Sequence, residues 1–303
     1  MFDYRSSVEF LMKCQATYDS DIKGTISPWV LNEGDAARED IHDTLQAIYI
    51  WSRPENIEYC GDYLEMAIDY VKRSFARYRV QAEPIKSYDA TFYIMGLHNY
   101  LKRKNDKLLL EIKRYAENYL IQYFKESPSH SGREYSNPYL KATVLYLMLT
   151  DKGENTRFIA NWLQQDTTLV NPENEPDHMG PGYKYPHDFL STFGTKLMAM
   201  NTILPDHRIE SLEDMIPSGY TRRLVDEVPY NASVTFGLST LNTHSDRALK
   251  LKVSSAGSEI FRVLESQVFE GGVKRGNYTQ LRESWATFFV YIAEMLREGK
   301  SIF

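Results

Sequence analysis

HDTLQAIYIW, residues 42–51, places a threonine third and follows it with an apolar run of helical length. The layout returns in DATFYIMGLH (89–98), KATVLYLMLT (141–150), FGTKLMAMNT (193–202), SVTFGLSTLN (233–242) and WATFFVYIAE (285–294). The anchors Thr44, Thr91, Thr143, Thr195, Thr235 and Thr287 are spaced by 47, 52, 52, 40 and 52 residues. A period of that length marks a chain built from one repeated supersecondary unit. The residue before the threonine is Ala90, Ala142, Ala286 or Gly194 in four repeats; Asp43 and Val234 are the exceptions. Small residues there let neighbouring helices approach closely. Threonine can return its hydroxyl to the carbonyl one turn earlier.

The anchor segments are apolar nearly all round, as in YIMGLHNYL, VLYLMLT and FFVYIAEML. A helix of that kind is buried on most sides. Between them lie charged segments with apolar residues at three-and-four spacing: 57–78, 105–126, 154–166, 207–216 and 245–267. Each buried helix therefore pairs with an outer, amphipathic one. Five pairs run from Thr44 to about Gln267, and a sixth buried helix ends the chain. Its outer partner is expected to be YRSSVEFLMKCQATY (4–18). That pairing closes a ring, whereas an open solenoid would need polar capping repeats. The expected fold is all-α, an (α/α)6 toroid of six helical hairpins in a single domain over 1–303. No alternating run reads as a strand.

This arrangement resembles the α/α toroid superfamily, which includes terpenoid cyclases, protein prenyltransferases, six-hairpin glycosidases and several polysaccharide lyases. The closing stretch GGVKRGNYTQLRESWATFFVYIAEML (271–296) looks most like a family end-repeat, and RGNYTQLRESW echoes the repeat of squalene-type cyclases. The resemblance implies parallel inner helices whose N-termini open on one rim, with the catalytic cleft there. The proton-donating Asp-x-Asp-Asp motif of terpenoid cyclases is absent. Cys14 and Cys60 fall on expected outer helices, which speaks against a prenyltransferase-type zinc site.

Composition narrows the function classes. The chain is 43% apolar and 25% charged, ordinary globular values. A net charge of −6 argues against nucleic-acid binding. Two cysteines are too few for a disulfide framework or a cysteine-rich zinc module. The opening MFDYRSSVEF lacks the basic-then-apolar order of a signal peptide. No apolar run approaches the ~20 residues of a membrane span. A cytoplasmic protein with no membrane span is expected. Its expected partner is a small-molecule or oligosaccharide ligand, and nothing in the sequence sets an oligomeric state. The 22 tyrosines outnumber Phe and Trp together, and tyrosine suits wet cavities.

The segments entering the inner helices are AREDIHD (37–43), IKSYD (85–89), REYSNPY (133–139), YKYPHD (183–188), VDEVPYN (225–231) and KRGNYTQLRE (274–283). The fourth belongs to EPDHMGPGYKYPHD (175–188), a long connection stiffened by five Pro or Gly and rich in functional groups. Asp177 and His178 are adjacent, as are His187 and Asp188, so neither pair chelates readily. No helical His-x-x-x-His exists, and neither a metal nor another cofactor is expected. A base sits at or shortly before each helix start, Arg38 and Arg133 among them. Such cations oppose the helix dipole, so either an anionic ligand or local acids must compensate.

Glycoside hydrolysis needs two carboxylates, and a lyase or epimerase needs a Tyr or His and a group that neutralises a substrate carboxylate. The candidate catalytic residues are Asp43, Asp89, His187, Asp188, Tyr230 and Glu283. Candidate binding residues are Arg38, His42, Tyr88, Arg133, Tyr139 and Asp177. His178, Tyr185, Asn231, Tyr278 and Trp285 complete that set, with Trp285 a possible sugar platform. Asp43 and Asp89 also suit a purely structural role at helix N-termini. The expected function is a carbohydrate-active enzyme (hydrolase, lyase or epimerase) on a polar or anionic saccharide. The alternatives are an isoprenoid enzyme, with an apolar aromatic tunnel, and a non-catalytic scaffold with a filled ring.

Overall fold

A computed structural model describes residues 2–18, 21–32, 35–81, 87–126, 138–150, 153–165, 195, 198–199, 202–203, 258, 261–274 and 281–302. Among the described residues the helices are α1 (Tyr4–Lys13), α2 (Ile41–Trp51), α3 (Gly61–Gln81), α4 (Ser87–Leu101), α5 (Lys107–Glu126), α6 (Pro138–Leu149), α7 (Glu154–Gln165) and α8 (Ser284–Arg297). The even-numbered ones begin at or just before the expected buried segments 42–51, 89–98, 141–150 and 285–294.

Packing follows the hairpin scheme. α2 packs on α3, α4 on α5 and α6 on α7, while α2, α4 and α6 pack side by side. α8 lies against α2, and α1 lies against α8, so the first and last helices meet as expected. The inner helices are buried almost throughout: every residue of α2 except His42 is buried. The outer helix α5 instead buries Leu109, Ile112, Ala116, Leu120 and Phe124, a single stripe at three-and-four spacing. The helices α2 and α4 approach closely at Gly96, where a Cβ would stand 2.5 Å from the Leu45 carbonyl oxygen. Ala90, Ala142 and Ala286 are fully buried, in keeping with close helix packing at the anchors.

Thr44 and Thr287 act as expected and do more. Thr44 Oγ1 donates to Asp40 O, one turn earlier, at 2.6 Å. It also accepts from Ile26 N at 3.0 Å. Thr287 Oγ1 repeats both bonds, to Glu283 O at 2.8 Å and from Val273 N at 3.0 Å. Thr44 and Thr287 thus each staple an extended segment to the start of an inner helix.

Those segments correct the expectation of a strand-free chain. β1 (Val268–Phe269), β2 (Gly272–Lys274) and β3 (Arg282–Glu283) form a small antiparallel sheet in that order. Glu270 and Gly271 both have positive φ (46° and 80°), the geometry of a tight two-residue hairpin turn. A Cβ on Gly271 would strike the Ser6 carbonyl oxygen, so the hairpin rests directly on α1. Gln15 and Ile26 form a further isolated bridge. Cys14 and Cys60 are also corrected: Cys14 caps the end of α1, Cys60 precedes α3, and both are buried and free. Among the described residues no helix is long and apolar enough to cross a membrane.

Candidate functional site

The start of α2 sets the geometry. Asp40 is extended, and its carboxylate accepts from His42 N at 3.1 Å and Asp43 N at 3.3 Å. This is the N-cap role that aspartate favours. The capped turn brings the His42 imidazole between two acids. Its Nδ1 is 2.6 Å from Asp40 Oδ1, and its Nε2 is 2.7 Å from Asp43 Oδ1. Burial opposes a proton on His42, but the Asp43 charge and the contacts with both acids prevail, and its pKa is pushed up to about 10. His42 is therefore a cation at neutral pH, not a base.

Asp43 is 1% exposed. Its Oδ2 accepts from Ser284 Oγ, on the first residue of α8. Ser284 N in turn donates to Pro28 O at 2.9 Å. One buried carboxylate thus joins the N-termini of the first and last inner helices. The order Ser–Asp–His differs from a nucleophilic Ser–His–Asp relay, because the serine bonds the acid and not the imidazole. The ligand atoms of Asp40, His42 and Asp43 lie within 4.8 Å of one another. A cation held there would have to displace the His42 proton, which two carboxylates favour, so the trio reads as a proton-bridged ion cluster.

Beside this cluster opens a pocket of about 540 Å³. Arg38, Glu39, Asp40 and His42 line it from the start of α2, Tyr70, Arg77 and Tyr78 from α3, and Asp89 from α4. Glu39 accepts from the Tyr70 hydroxyl at 2.9 Å and pairs with Arg77. Burial and the Glu39 charge raise the Tyr70 pKa, so its hydroxyl stays a donor. Three cations (Arg38, His42, Arg77) and three carboxylates (Glu39, Asp40, Asp89) line it, with a fourth carboxylate, Asp43, against His42. A second hollow of about 600 Å³ near Gln15 and Asn32 has one carboxylate, Asp35, already taken by two Asn32 donors.

The structure brings Arg38, His42 and Asp89 to one pocket and sets Asp43 directly behind His42. Glu283 occupies the N-cap position of α8 without a side-chain capping bond, and Trp285 follows half-buried in the first turn. Tyr88 and Tyr139 lie in the first turns of α4 and α6. Arg133, Asp177, His178, Tyr185, His187, Asp188, Tyr230, Asn231 and Tyr278 lie outside the described residues. Two cations of the pocket, Arg77 and His42, pair with acids. Sequence reasoning passed over Tyr70 and Arg77, which look like ordinary polar positions of an amphipathic helix. It also passed over Gln46, one turn below His42. Gln46 is 1% exposed, and neither its Nε2 nor its Oε1 has a hydrogen-bond partner. Each such orphan costs about 1–3 kcal/mol.

Comparison with protein families and with curated proteins gives no match. Among solved structures, the α-1,6-mannanase GH76A from Salegentibacter sp. HEL1_6 is similar, at 13% identity and a TM-score of 0.58, over 98% of this chain and 99% of that one. An inactive variant of that enzyme, with two consecutive aspartates replaced by asparagine, in complex with α-1,6-mannotriose, gives 13% identity and a TM-score of 0.58 over 97% and 99%. A second, with alanine at both positions, in complex with α-1,6-mannotetrose, gives 13% and 0.59 over 98% and 99%. At this identity the likeness is one of architecture, and it shows that the chain has the α/α toroid fold.

Proposed function

We propose that the protein binds a neutral, hydroxyl-rich saccharide in the rim pocket and acts on it as a carbohydrate-active enzyme, hydrolysing a mannan-type chain. The observation that carries this reading is the pocket lining. Carboxylates, hydroxyls and paired cations converge where the inner helices begin, in a fold that α-1,6-mannanases also have. Four carboxylates, Asp43 included, against three cations suit a neutral sugar better than a uronate. An isoprenoid ligand would want an apolar wall, yet six of the ten lining residues are charged.

Hydrolysis of a glycosidic bond uses one carboxyl group to protonate the leaving oxygen and a second to activate water or attack the sugar. Of the three pocket carboxylates, Glu39 is engaged by Tyr70 and Arg77, and Asp89 and Asp40 are the candidate pair. His42 is held between Asp40 and Asp43. The chain contains no two consecutive aspartates anywhere. The pair replaced in the inactive mannanase variants therefore has no like-for-like counterpart here, and the acids are drawn from two helices. The test is chromatography of α-1,6-mannotetrose incubated with the purified protein. Shorter mannosides are expected, and Asp89→Asn is expected to slow their release at least about 100-fold. An intact substrate under all conditions, or full activity in Asp89→Asn, contradicts the proposal.

A further inference from the structure

The outward side of α2 is fixed by two contacts. Trp51 packs on Tyr63 of α3, with ring centroids 6.3 Å apart, and Thr44 Oγ1 accepts from Ile26 N. At about 100° per residue, Gln46 lies about 160° round the helix from Thr44 and about 140° from Trp51. Its carboxamide is thus directed to the interior of the ring, on the stripe of His42 one turn above. Both polar atoms of that carboxamide are buried and unpaired.

Buried amides are normally paired. An open one in the middle of a packed helix serves no structural purpose, because methionine would fill the same volume without the penalty. The fold is able to satisfy polar groups at this depth: Thr44, two residues away, has its hydroxyl both donating and accepting. The unpaired carboxamide of α2 lies one turn below His42.

We propose that Gln46 is a saccharide-binding residue at the floor of the site, an inference that rests on the glycan reading above. A carboxamide presents a donor and an acceptor side by side. In the bound state Nε2 donates to one ring hydroxyl oxygen, and Oε1 accepts from the adjacent hydroxyl. The ligand class this selects is a hexopyranose with a vicinal diol turned toward α2. A sugar reaching Gln46 must shift the side chains that now cover it, so binding and a local opening of the ring interior occur together.

The experiment compares wild type and Gln46→Met by thermal unfolding and by calorimetric titration with α-1,6-mannotriose. Methionine removes the unpaired amide, so the ligand-free variant is expected to melt about 2–4 °C higher. It is also expected to bind mannotriose at least about tenfold more weakly, through the loss of two hydrogen bonds. A role confined to packing would not move stability and affinity in opposite directions. Equal affinity in wild type and variant overturns the Gln46 proposal alone. So does a lower melting temperature of the ligand-free variant, which would mean that the carboxamide is already satisfied. Absence of mannotriose binding by the wild type overturns the glycan reading and this proposal with it.

Discussion

Thr44 and Gln46 stand two residues apart on one helix, and the fold treats them in opposite ways. Thr44 faces outward, donates to Asp40 O, and accepts the backbone of the segment that crosses the helix start. Thr287 reproduces this on α8. Gln46 faces inward, equally buried, with nothing on either polar atom. Between them Asp43 faces the seam with α8. The anchor threonines of α2 and α8 are thus satisfied and hold the repeat together. Gln46 is not, as expected where stability yields to a site.

The sharpest way to break this contrast is at the seam. Asp43→Asn keeps the shape but leaves His42 with one acid and changes the Ser284 bond. Removing one member of a buried ion pair is expected to cost about 3 kcal/mol in urea unfolding at neutral pH. A near-neutral result would mean that the seam is not held by this charge. Thr44→Val is next: it strands Ile26 N, with an expected loss of about 2 kcal/mol, and saccharide binding by the folded protein is expected to survive. Weakened binding at unchanged stability would erase the distinction between Thr44 and Gln46.

The contrast also carries a pH dependence. The His42 pKa is raised from 6.5 to about 10 in the folded protein. Its contribution is therefore fully present below about pH 6.5 and is lost as pH rises through about 10. Unfolding free energy measured from pH 7 to 10 is expected to fall more steeply in wild type than in His42→Gln. Parallel curves would mean that the imidazole is neutral in the folded state.

Much of this was legible in the sequence because the repeat carries it. The apolar runs after Thr44, Thr91, Thr143 and Thr287 are the inner helices α2, α4, α6 and α8. The pairing of α1 with α8 followed from an outer helix without a partner at one end and an inner one at the other. The strands at 268–283 were not legible, since two or three residues cannot display alternation. Glu270–Gly271–Gly272 was the available signal, a turn between short extended pieces. In the site, Asp43, His42 and Asp89 stood out as polar groups before apolar helices. Tyr70 and Arg77 did not, because only the packing of α3 on α2 brings its C-terminal half to the same rim. Gln46 was hidden for another reason: a lone glutamine in an apolar helix says nothing until its partners are counted.

The central claim is that a saccharide occupies the rim pocket over α2. Amide hydrogen exchange with and without saturating α-1,6-mannotetrose tests it most directly. The account predicts added protection concentrated in residues 38–46, in 70–78 of α3 and at the start of α4. Protection confined to other parts of the chain, or none at all, would contradict it.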